Sequence, residues 1–397
     1  MSEDDRSIIP AGAGRRWVLG LLPIVLLAGL VVVFLRYDPT ATFRAAFPPV
    51  EELTVERVTF PEPGVMRVHV VNGGPQAVTI AQVMVDEAYW RFRLDGDPTL
   101  PRLRRTTIEL DYPWVEGEPH IVKVVTSTGL TFEHEVAVAT ESPRPNARYL
   151  GTFALLGIYA GLIPVVLGLL WYPFLRRIDR KWLHFYLSLT IGLLVFLVVD
   201  AFEHTLEAAG AVPSGFQGVG LITLGVVGAV VGLRAVAGLG RGEGNRPSGL
   251  TVAYLIALGI GLHNLGEGLA IGAAYSLGEI ALGSFLVIGF ALHNTTEGLA
   301  IVAPMADEKP ALWHFGVMGL IAGLPTVLGA WVGGFSYAPA AATFFLALGA
   351  GAIIQVIIEV GKLIQRTWAR GIFTPLNAAG LMLGILIMYG TALMVVA

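Results

Sequence analysis

From Arg148 onward the chain is a succession of eight apolar runs, at about 149–174, 182–207, 215–238, 250–275, 279–304, 312–334, 340–363 and 374–396. A helix of such a length crosses the roughly 30 Å hydrocarbon layer of a bilayer. Inside lipid the backbone must bond to itself, so separate runs of this length are read as helices. Composition agrees: 54% of residues are hydrophobic and 14% charged, where soluble chains carry about 25% charge. The 49 glycines suit helices that approach closely in lipid. Cysteine is absent, which excludes disulfides, thiolate metal sites and cysteine nucleophiles. Any metal must be held by nitrogen and oxygen alone.

Two segments precede these runs. Residues 1–16 are polar and end in Arg15-Arg16, and Trp17 to Leu35 is a further apolar run. That run is long for a signal sequence, and Arg36-Tyr37 follows where a small-residue cleavage site would stand. The reading is a transmembrane anchor over 17–36. Residues 50–142 change character, with Leu53–Phe60, Val65–Asn72, Ala77–Phe92, Thr106–Trp114 and His120–Ala139 rich in Val, Thr and aromatics. Pro, Gly and Asp punctuate them, so about seven short strands in a small β-sandwich are expected. His69, His120 and His134 read there as structural histidines. The expected fold class is an α-helical membrane protein: an eight-helix bundle over 148–397, preceded by one extra transmembrane helix and a small extracytoplasmic β-sandwich.

Flanking charge orients the runs. Arg176, Arg177, Arg180 and Lys181 follow the first, Arg241 and Arg246 the third, Lys309 the fifth, and Lys362, Arg366 and Arg370 the seventh. Loops 208–214, 276–278 and 335–339 contain no Lys or Arg. The positive-inside rule makes the basic loops and the N-terminus cytoplasmic, with the β-domain and the C-terminus outside, in the cell (plasma or inner) membrane. The glycine-rich stretch 238–249 has neither the dinucleotide fingerprint nor a P-loop and reads as a linker. No organic cofactor and no nucleic-acid partner is implied.

Two stretches thirty residues apart carry the chemistry: His263-Asn264-x-x-Glu267-Gly268-Leu-Ala-Ile271 and His293-Asn294-x-x-Glu297-Gly298-Leu-Ala-Ile301. On a helix each His and Glu are i and i+4, one turn apart on one face. Imidazole and carboxylate at that spacing form a metal-ligand pair, and ionisable groups buried in a bilayer without a function are rare. The two copies fall near the middle of successive, oppositely directed spans, an inverted pair of the kind transporters place at a midplane site. Two carboxylates would balance a divalent cation, with two imidazoles and two Asn carbonyls completing its shell. Asp200, Glu203, His204 and Glu207 are i, i+3, i+4 and i+7 on the outer third of the second span, an acidic stripe that reads as a cation entrance. Gln355 and Glu359, one turn apart on the inner half of the seventh, read as an exit, unless Glu359 simply pairs with Lys362 or Lys309.

The doubled His-Asn-x-x-Glu-Gly within eight spans resembles the ZIP (Zrt-, Irt-like) divalent metal transporters, nearest their GufA-like bacterial branch, over about residues 148–397. Asp200-Ala-Phe-x-His204 is similar to that family's second-helix signature, and the segment from Ala350 to Glu359 to its seventh-helix one. The resemblance implies a binuclear-type site across the fourth and fifth helices, metal passage into the cytoplasm by alternating access, and a homodimer. There are departures: Gly266 and Thr296 stand where the family has proline, and Thr326 replaces the sixth-helix bridging carboxylate. A second metal there should bind more weakly or be missing. The expected function is transport of Zn²⁺, with Fe²⁺, Mn²⁺ and Cd²⁺ as further candidate substrates, and not catalysis. The alternative is an intramembrane zinc-dependent hydrolase. A third reading, a metal sensor, lacks a cytoplasmic output module.

Overall fold

A computed structural model describes residues 13–37, 39, 50–239, 248–367 and 374–396. Residues 1–12 of the expected cytoplasmic tail, most of the expected linker, and the basic residues Arg241, Arg246 and Arg370 lie outside them. Helix α1 (Ala13–Tyr37) runs through the expected anchor and carries Arg36 in its last turn. From Leu21 to Tyr37 its side chains are exposed.

The β-domain comprises β1 (Leu53–Glu62), β2 (Val65–Asn72), β3 (Val78–Val85), β4 (Ala88–Trp90), β5 (Phe92–Leu94), β6 (Thr99–Leu100), β7 (Arg105–Asp111), β8 (His120–Thr126) and β9 (Thr131–Val136). All strand pairings are antiparallel, in sheets ordered β1-β2-β7-β5 and β4-β3-β8-β9, with β6 added beside β3. Alternate residues of both sheets, including Met66, Val68, Ile108, Val83, Val122 and Val124, fill one apolar core. The strands outnumber the expected seven because two runs are interrupted. Asp86 and Glu87 both adopt positive φ (51° and 65°), which reverses the chain between β3 and β4. Gly129, at φ 90°, turns β8 into β9, and the Thr126 N–H donates to the Leu130 carbonyl at 2.9 Å.

Among the described residues, eight helices after the β-domain are long and apolar enough to cross a membrane, and their ends fall within four residues of the expected spans. They are α2 (Ala147–Leu175), α3 (Arg180–Gly210), α4 (Gly218–Leu239), α5 (Gly249–Ser276), α6 (Ile280–Val302), α7 (Leu312–Ser336), α8 (Pro339–Thr367) and α9 (Pro375–Val396). Two packed groups form: α2, α5, α6 and α7 against one another, and α3, α4, α8 and α9 against one another, with α5 lying along α8. Glycines set the closest approach. A methyl group at Gly268 would overlap the Thr326 carbonyl, and one at Gly329 or Gly333 the Leu265 or Leu269 carbonyl, so α5 and α7 touch backbone to backbone. Gly168 of α2 and Gly298 of α6 do the same for that pair.

The β-domain is seated on two loops and a helix end at one end of the bundle. Glu52 accepts hydrogen bonds from the backbone N–H (2.7 Å) and hydroxyl of Ser214, in the turn between α3 and α4. Gly278, between α5 and α6, lies under the Val138 carbonyl, and Arg57 reaches the Phe335 carbonyl at the end of α7.

Candidate metal centre

Helices α5 and α6 run unbroken through both motif copies, although Gly266 and Thr296 replace the prolines the resemblance led one to expect. The Thr296 hydroxyl bonds back to the His293 carbonyl at 2.6 Å, which holds that turn without interrupting it. The irregularities sit in the partner helices instead. Helix α2 contains a π turn over Ile158–Leu162, just before Pro164, which has no N–H to give the Ala160 carbonyl. Asn294 supplies the missing donor, its Nδ2 lying 3.0 Å from Ala160 O. In α7, Pro325 lies within the helix and opens the turn before it. There Asn264 Nδ2 donates to the Ala322 carbonyl at 3.0 Å. Each Asn thus straps its motif helix to its neighbour, and because a carbonyl accepts the bond, the amide nitrogen is identified and the oxygen Oδ1 faces the other way.

Three ligand-type atoms converge between the straps. His263 Nε2 lies 3.1 Å from Glu267 Oε1, and His293 Nε2 contacts the same oxygen. Asn294 Nδ2 also donates to Glu267 Oε2 at 2.9 Å. His263, Glu267 and His293 offer atoms all within 4.8 Å of one another, and all three are buried, at 6%, 4% and 7% exposure. Both oxygens of Glu297, Oδ1 of Asn264 and of Asn294, and the Thr326 hydroxyl are buried without a hydrogen-bond partner. Each such group carries a desolvation penalty of about 1–3 kcal/mol, more if charged. Nitrogen and oxygen donors without sulfur suit zinc and neighbouring divalent cations.

The symmetric six-residue shell expected from the repeat is therefore not the arrangement seen. Both histidines turn to Glu267, and Glu297, also fully within the core, stands outside the convergent group although close enough for the two carboxylates to repel. Thr326, at the position of the expected bridging carboxylate, packs against Gly161 in the π turn of α2.

A cavity of about 420 Å³ leads from the β-domain end of the bundle to this group. Asp200, His204 and Glu207 line it near its mouth, His263 and Glu267 at its base, and its walls include Leu197, Leu286, Phe290 and Leu346. His204 sits loosely between the two acids, 3.9 Å from Asp200 and 3.8 Å from Glu207. Glu203, from the same stripe, is exposed and does not line the cavity. Glu279 and Tyr337 do line it, and sequence reasoning passed over both. The available signal was that Glu279 is the one carboxylate in the three-residue link between the motif helices. Burial, then the charge of Glu207, pushes Glu279 above the usual carboxylate range. Burial, followed by Glu279, Glu207 and Glu56, raises Tyr337 likewise.

On the opposite side of the centre Gln355 and Glu359 are buried. Gln355 Nε2 and Lys362 Nζ both donate to Glu359 Oε1, at 3.0 and 2.7 Å, so Lys362 rather than Lys309 is the partner of Glu359. Their small void, about 10 Å³, is walled by Leu233, Ile256 and Val356. In the β-domain, His69 bonds Thr59 and Thr107 through its two ring nitrogens at 3.0 and 3.2 Å. His120 bonds Asp86 at 2.7 Å. Both serve the sheets. No protein-family model and no curated protein matches this chain, so the site is interpreted from its own residues.

Proposed function

We propose that this protein is a ZIP-like transporter that moves a divalent cation, Zn²⁺ first among candidates, across the membrane toward the cytoplasm by alternating access. One observation carries the reading: two imidazoles and a carboxylate converge, deeply buried, and two of these groups, His263 and Glu267, line a cavity that opens toward the β-domain end of the bundle. A cation entering past Asp200, His204, Glu207 and Glu279 would exchange water for oxygens that otherwise lack partners and for the imidazole nitrogens that now face Glu267. The inverted motif pair supports a midplane site reached alternately from two sides. The acids of the mouth lie at the β-domain end, and Arg176, Arg177 and Arg180 lie at the other, the end this reading makes cytoplasmic. In this reading Gln355 and Glu359 serve the inner side once the helices around them part. Zinc is the substrate here and not a resident cofactor. Membership of the ZIP family, a homodimer and the cell membrane as location belong to the same proposal.

Glu297 favours a second reading. An unpaired carboxylate beside a His₂-carboxylate group is the layout of a zinc hydrolase, with Glu297 as proton acceptor. Sealed proteoliposomes separate the two. Saturable entry of Zn²⁺, compared with Fe²⁺, Mn²⁺ and Cd²⁺, and its loss in both His263→Ala and Glu267→Ala, is the expected outcome. Tight binding removed by the same substitutions, with no entry in the unaltered protein, would overturn transport and direct the search to metal-dependent turnover.

A further inference from the structure

The cleft between the β1-β2-β7-β5 sheet and the ends of α5 and α7 contains a guanidinium with no carboxylate partner among the described residues. Arg57, on β1, is half-buried there, and its one hydrogen bond among those residues is long, 3.5 Å from Nη1 to the Phe335 carbonyl. Its neighbour Glu56 is already engaged: Arg105 grips both its oxygens, at 2.9 and 3.0 Å. Burial holds Arg57 below the ordinary guanidinium range, the charge of Glu56 opposing this. Arginine nonetheless stays protonated, so the cleft holds a positive charge that it has desolvated without pairing.

Cavities open on both sides of that charge. One of about 470 Å³ is lined by Arg57, Arg67, Arg144 and His69, with Glu62 as its one carboxylate. Another of about 350 Å³ lies between Arg57, Arg105 and Tyr337. Arg67 is held by Glu109 through Nε at 2.8 Å, and Arg144 by Glu141 through Nη2 at 3.4 Å, which leaves further N–H groups of each for a ligand. His69 contributes no charge, since burial, then Arg57 and Arg67, lower its pKa to about 4. The floor of the larger cavity is Ser276, Gly334 and Phe335, the last turns of two apolar spans. That is the level at which lipid headgroups lie.

We propose that this cleft binds a phosphate-bearing anion, gripped by Arg57 and flanked by Arg67 and Arg144. Guanidinium forks match phosphate oxygens in geometry as well as charge. Two sources share this chemistry: the headgroup of an anionic phospholipid, and free inorganic phosphate. The proposal does not depend on the transport reading. Occupancy would bond the β-domain to the ends of α5 and α7 through a shared anion, beside the hydrogen bond that Arg57 now makes to Phe335.

The test uses the full chain, stripped of lipid in detergent. Short-chain phosphatidylglycerol or inorganic phosphate is titrated separately while thermal unfolding and bound ligand are followed. The expected result is saturable binding of at least one, weakened at least tenfold in Arg57→Gln and severalfold in Arg144→Gln. The exposed-loop control Arg102→Gln should match the unaltered protein. Binding of phosphatidylglycerol alone assigns the site to lipid, and equal binding of phosphate assigns it to the free ion. If neither binds, or if both arginine variants bind as tightly as the unaltered protein, the proposal fails. Should Arg57→Gln not fold, Arg144→Gln carries the test, with a cooperative thermal unfolding transition at the unaltered protein's temperature as the check that the bundle is intact.

Discussion

The two motif copies are nearly the same in sequence and unlike in surroundings. On α5, Glu267 meets both histidines through one oxygen and Asn294 through the other. On α6, Glu297 is as deeply buried, at 3% exposure, and neither of its oxygens has a partner. The Asn residues do remain equivalent: each binds a backbone carbonyl of the neighbouring helix beside a proline-loosened turn. Repetition therefore fixes where the helices are strapped, while the two histidines face only one carboxylate at a time. The centre is one convergent group with a spare acid beside it, rather than two matched halves. A divalent cation placed among the ligand atoms would draw Glu297 inward, because a buried carboxylate gains most from a charge it can reach.

The largest test of this asymmetry is Glu267→Gln. Removing the carboxylate on which His263, His293 and Asn294 converge should weaken Zn²⁺ binding roughly 100-fold, the scale of losing a charge-assisted contact in a desolvated site. Equilibrium dialysis of the full chain in detergent checks it. Affinity within a few-fold of the unaltered protein would mean that the convergence has no part in binding.

Glu297→Gln should act with the opposite sign on the metal-free protein. It replaces a buried acid that lies close to Glu267 with a neutral amide, so thermal unfolding without metal should shift upward. Zn²⁺ affinity should fall roughly tenfold, as one of two carboxylates balancing the ion is lost. Glu267→Gln leaves the histidines and Asn294 short of an acceptor and should lower metal-free stability. If both variants move stability in the same direction, the two copies are equivalent after all.

Much of this was legible beforehand. Eight spans were readable because lipid leaves the backbone one local solution and the runs are long, and the i, i+4 pairs because helical geometry is fixed. The partition between Glu267 and Glu297 was not, since it depends on which way His293 turns, and spacing is silent on that. Nor was the part played by α2, although Pro164 was a signal: a proline inside a span frees the carbonyl four residues earlier, here Ala160. The stripe on α3 was readable as a face but not in its limits, so Glu203 was grouped with Asp200, His204 and Glu207 that line the cavity. Glu279 and Tyr337 join them from loops, whose positions relative to the helices no periodicity predicts. Asp86 and Glu87 divided an expected strand because two successive positive φ angles are rare for such residues.

The finest distinction between the copies lies in the Asn pair. Asn294 bonds both the π-turn carbonyl of Ala160 and Glu267, so Asn294→Ala removes a strap and also loosens the carboxylate that the histidines share. Asn264 donates to Ala322 and lies beside Glu297, with no such bond to Glu267 among the described residues. Asn294→Ala should therefore weaken Zn²⁺ binding more than Asn264→Ala, by roughly threefold to tenfold, the worth of one further hydrogen bond to a charged group. The reverse order would place the bound ion nearer Glu297 and Asn264. Then the convergence of the histidines on Glu267 would belong to the metal-free protein, and the α6 copy, not the α5 copy, would hold the cation.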